Sequence, residues 1–143
     1  MGSVAILAII LLISASCTDE QARKLAIAAD DISIGVGAAI DAKRLAREKG
    51  WISDSEELVI TKALLDVNHA GTQFGINARK ITKLDGNSKA EMIDLFRQLN
   101  FSVQVMNRNI KSLSNPEAQV KIQSTTAIIE IALASIQAIV GGP

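Results

Sequence analysis

Beyond residue 17, apolar side chains return every three or four positions, and short polar runs rich in cap and turn residues interrupt them. This spacing predicts four helices. Thr18-Asp-Glu-Gln21 reads as a capping box that opens the first, in which the Thr18 hydroxyl and the Gln21 side chain satisfy free backbone N–H groups. The first helix runs to Lys49, with Gly50 as its left-handed stop, and its stripe is Ala22, Leu25, Ala29, Ile32, Val36, Ala39 and Ala46. A second box, Ser53-Asp-Ser-Glu56, starts a helix with Ile60, Leu64, Val67, Gly71, Phe74, Ala78 and Ile81 at unbroken spacings of four and three. Asp85-Gly86-Asn87 ends it, and Ser88-Lys-Ala-Glu91 opens a third with Met92, Phe96, Leu99, Val103, Met106, Ile110 and Leu113. The fourth follows Asn115-Pro116, where proline in the first turn forfeits nothing, and carries Ile122, Thr126, Ile129, Leu133, Ile136 and Val140 before Gly141-Gly142.

Short connections make successive helices antiparallel, so the expected fold is all-α: an up-down-up-down four-helix bundle over residues 17–143, preceded by an N-terminal signal helix. Two helical hairpins exchanged between subunits satisfy the same pattern. Much of the first stripe is alanine, and Gly35 and Gly37 each cost about 1 kcal/mol against alanine in a helix, which predicts close approach of a neighbouring helix. Trp51, directly after the Gly50 stop, is expected to close over Leu45 and Ala46.

The run Val4–Ile13 is uniformly apolar and is followed by Ser14, Ala15, Ser16 and Cys17, the only cysteine. As a helix it rises about 15 Å, half of a bilayer core, so it suits the apolar centre of an export signal better than a membrane span. This segment resembles a bacterial lipoprotein signal, although Ser14 stands where that pattern usually has a branched apolar residue and no basic residue precedes the run. The resemblance covers the first 17 residues and implies removal of residues 1–16, lipid on Cys17 and anchoring in the bacterial envelope. Thr18 after the cysteine lacks the aspartate associated with inner-membrane retention, which implies the outer membrane, facing the periplasm. Ordinary cleavage with release, or an uncleaved anchor, are the other readings of the same residues.

Fifteen basic and fifteen acidic residues cancel, which removes the electrostatic footprint expected of a nucleic-acid binder. Only Trp51, Phe74, Phe96 and Phe101 are aromatic, too few for a stacking platform. His69, the single histidine, falls on the outward face of the second helix with Lys62 and Lys83, so neither metal nor haem is expected there. Asp30, Asp31 and Asp41 do not converge as a catalytic pair, because consecutive helical residues diverge by about 100°. No cofactor and no catalytic residue is predicted.

What remains is apolar side chains that the core stripes do not use: Ile27 and Ile34 on the first helix, Phe101 and Val105 on the third, Ile128 and Ile131 on the fourth. The first and fourth helices are neighbours in this topology, so their four isoleucines are expected to form one patch for a protein partner or a second copy. The functional expectation is a non-catalytic, membrane-tethered interaction module. A small-molecule carrier using space beside Gly71, and a phage or mobile-element exclusion or lysis lipoprotein, are the alternatives.

Overall fold

The computed structural model describes residues 19–141, and over these the chain is helical with no strand. The expected signal helix, the Cys17 lipid site and the Thr18 cap lie outside the described residues. Four helices follow in order: α1 (Glu20–Glu48), α2 (Asp54–Lys80), α3 (Gly86–Lys111) and α4 (Pro116–Val140). α1 packs against α2 and α4, and α3 against the same two, so the helices form a closed ring around one core.

Each helix begins where a polar side chain meets orphan N–H groups of the first turn. Asp19 caps α1, its Oδ1 accepting from Gln21 N at 2.8 Å, one residue later than the predicted Thr18 cap. Ser53 and Glu56 form the reciprocal box of α2 as expected. For α3 the cap is Asp85 rather than Ser88: Asp85 Oδ1 accepts from the N–H groups of Asn87 and Ser88, and the Ser88 hydroxyl accepts from Asp85 N. Aspartate caps as well as serine does, and the earlier box adds most of a turn to the helix. Asn115 caps α4 with Pro116 in its first turn.

The stops also follow from residue chemistry. Gly50 has φ +69°, and Trp51 N donates to Ala46 O at 2.9 Å, which satisfies a terminal carbonyl of α1. Gly141 ends α4 in the same left-handed conformation. Ile81, placed on the α2 seam by its spacing, instead has extended backbone past the helix end and is half-buried.

The predicted stripes are the core. Phe74, Phe96, Leu25, Ile32, Leu64, Leu99 and Met106 are fully buried, and the only buried polar residue among those described is Thr126, whose hydroxyl donates to Gln123 O at 2.9 Å. Gly35 accounts for the tight α1–α4 contact, because a methyl added there would lie 2.5 Å from Ile129 Cγ1. Gly37 is different: it is exposed and has open space around it. At Gly71 an added methyl would meet Ile32 Cγ2 at 3.0 Å, so the room that a carrier would need there is already filled.

Candidate interaction surface

The α1–α4 edge of the ring carries four of the isoleucines that the core omits. Ile27, Ile34, Ile128 and Ile131 are all exposed, Ile34 at 60% and Ile131 at 68%. The Gly35–Ile129 contact sets their placement: Ile34 and Ile128 each precede one side of it, and Ile131 follows by two residues. The 100° step per residue then turns them to the outer margin of the seam. Further along, Lys24, Ile27 and Asp31 of α1 and Ser135, Ala138 and Ile139 of α4 line a shallow groove of about 360 Å³.

Electrostatics separate the two flanks of α4. Glu130, the only charged residue between Lys121 and Val140, accepts from Asn107 Nδ2 at 3.1 Å and therefore faces α3. The flank toward α1 carries no charge beyond Lys121. By length and composition α4 is apolar enough to cross a membrane, and a third (33%) of its most apolar stretch is buried inside the protein. Its apolar character thus exceeds what the core absorbs.

A second surface lies on the opposite, α2–α3 edge. Phe101, 67% exposed, and the half-buried Val105 line a groove of about 460 Å³ together with His69, Lys62, Asp66 and Gln98. Lys62 Nζ donates to Asp66 Oδ2 at 2.8 Å, so the charged pair on its wall is internally matched. His69 is exposed, as its heptad position implies, and lines the same groove as Phe101. The six apolar candidates therefore form two separate surfaces.

α2 also carries surplus apolar side chains, which the sequence spacing did not single out. Leu58, Val59, Leu65 and Ile76 are exposed on it, and Ile40 and Val120 are exposed on α1 and α4. Their signal in the sequence is their position outside the three-four spacing of the core seam. Those on α2 do not share the groove that Ile27 lines. Trp51 is half-buried and, beyond its predicted role at the α1 stop, lines a groove with Pro116, Val120 and Lys121 of α4. Lys49 Nζ sits 4.9 Å from its ring centre, a cation over an aromatic face.

Three of the four groups with displaced pKa values belong to helix caps, and the fourth, Glu20, is lowered by its bond with the Lys24 ammonium. Backbone N–H groups of Ser53 and Ser114, then their hydroxyls, hold the Glu56 carboxyl down to about 2, and bonds from Leu84 and Gln21 hold Asp19 below its ordinary range. Asp85 is lowered by Ser88 in the same way. Hydrogen bonding to the charged form is the common cause, and its role here is structural. Among the described residues no three histidine, cysteine, aspartate or glutamate side chains gather as a metal-binding set. No protein-family model, curated protein or solved structure matches the chain.

Proposed function

We propose that this protein is a non-catalytic, membrane-tethered helical module of a bacterial envelope that binds another protein chain through its α1–α4 face. The observation that carries the reading is the set of four exposed isoleucines along one helix seam, on a flank of α4 free of charge beyond Lys121. Burial of such a surface favours association at about 25 cal/mol per Å² before the cost of immobilisation. The tether rests on the run Val4–Ile13 and on Cys17 directly after it. Lipid there anchors stably once two chains are attached.

The helices run up-down-up-down in this proposal. Supporting contacts join opposite ends of α1 and α2: Asp30 with Arg79 and Asp19 N with Thr82 O at 3.1 Å at one end, Lys43 Nζ with Thr61 Oγ1 at 2.8 Å at the other. Glu56, near the start of α2, accepts from Ser114 just beyond the end of α3. In this order the start of α1 and the end of α4 share one end of the bundle, and Cys17 stands three residues before Glu20 in the chain, so lipid there would bring that end of the interaction face to the membrane.

Two measurements on the full chain in membranes test this. Mass spectrometry is expected to find lipid on Cys17 and residues 1–16 removed; an intact Met1, or unmodified Cys17 in wholly soluble protein, contradicts the tether. A photo-crosslinker placed at Ile34 is expected to capture protein, whereas one at Arg108, exposed on α3, captures less. Capture of lipid alone, or of nothing, contradicts the interaction face.

A further inference from the structure

The geometry points to a second copy of this chain as the partner, docked by antiparallel packing of α4 against α4 across a two-fold axis. This rests on the α1–α4 face being an interaction surface and names what covers it. Besides its core seam, α4 carries a second seam on the solvent side: Val120, Ser124, Ala127, Ile131, Ala134 and Ala138, at spacings of 4, 3, 4, 3 and 4. All six are exposed, Val120 at 69%. An apolar stripe at this period is what a helix presents to another helix in knobs-into-holes packing, and the core of this chain leaves it uncovered.

Self-docking follows from charge and from side-chain size. A two-fold axis lays a surface on its own image, so any charge near the axis meets its like; this seam has none, and Glu130 is turned away to Asn107. In the antiparallel register centred on the seam, Val120 faces Ala138 of the partner subunit. Ser124 then faces Ala134 of the partner subunit, and Ala127 faces Ile131 of the partner subunit. Every large side chain meets a small one, which fills space without strain. A parallel register stacks Ile131 on itself and leaves the alanine layers hollow.

The seam is about 27 Å long at 1.5 Å per residue. With the α1 shoulder bearing Ile34 and Ile27 it is about 20 Å broad, the width of two packed helices. That amounts to about 1,100 Å² over both copies, just under the size of a standard stable interface. The dimer is accordingly weak in dilute solution, and confinement of both copies to one membrane raises their effective concentration.

Two differently tagged full-length copies, one carrying Ser124→Cys and the other Ala134→Cys, are co-expressed and oxidised in membranes, with copies lacking added cysteine as the background from Cys17. Disulfide between the two tags is expected at several times the yield of Ser124→Cys with itself, and Ile131→Glu on both copies is expected to abolish it. Equal or greater yield for Ser124→Cys with itself overturns the antiparallel packing. No cross-link between copies, while the photo-crosslinker at Ile34 captures a different protein, overturns the second copy and leaves the interaction face standing. Failure of both removes the face as well. Circular dichroism of each variant confirms that these exposed substitutions leave the helices intact.

Discussion

Glu56 joins three segments with one carboxylate. Its Oε2 accepts from Ser53 N and Oγ at the start of α2, and its Oε1 accepts from Ser114 N and Oγ in the α3–α4 connection, all at 2.8 Å. The box with Ser53 was legible in the sequence because it is local; the bond to Ser114 was not, because it spans 58 residues. The carboxyl is held down to about 2 from an ordinary 4.5, so its stabilising contribution is fully present above about pH 4.5 and is lost as pH falls toward 2. Asp19 and Asp85 act in the same sense. Glu56→Gln is expected to lower stability at neutral pH and to flatten the decline between pH 4.5 and 2, read from urea unfolding across pH. Parallel pH profiles for the two proteins would contradict that role. His69, exposed on α2, is expected to be dispensable: His69→Ala changes stability by about 0.5 kcal/mol or less, and a loss above about 2 kcal/mol would show that it has a structural partner.

At the scale of the helix, two glycines two positions apart make the clearest contrast, since Gly35 and Gly37 look alike in sequence and differ in surroundings. Gly35→Ala would push a methyl into Ile129 and is expected to destabilise by about 1–3 kcal/mol. Gly37→Ala meets nothing within 4 Å and is expected to stabilise by about 0.5–1 kcal/mol. Urea unfolding of both variants checks the pair, and equal effects would contradict the close α1–α4 approach. Sequence periodicity identified that some small residue admits a neighbour, but which glycine does so depends on the partner helix. The same limit explains Asp85, where two overlapping capping patterns were available and the sequence offered no geometry to choose between them. Core seams were legible because burial imposes an unbroken three-four spacing; the exposed Leu58 and Leu65, seven apart, have only Thr61 and Lys62 on the turn between them.

For the molecule as a whole, the four-helix order was readable from seams and short connections, whereas the surface became readable only once the ring placed α1 beside α4. Ile27, Ile34, Ile128 and Ile131 stand out from their own seams in sequence, yet their common margin depends on the Gly35–Ile129 contact. Phe101 and Val105, grouped with them by type, belong to the opposite edge beside His69. The central claim is that the isoleucine face serves association and not folding, and Ile34→Glu with Ile131→Glu tests it most directly. Sedimentation and circular dichroism of the full chain are expected to show association abolished with helicity and thermal unfolding nearly unchanged, because both sites are exposed. A double variant that unfolds, as an unpaired buried carboxylate would require, or one that stays folded and associates normally, would contradict the account.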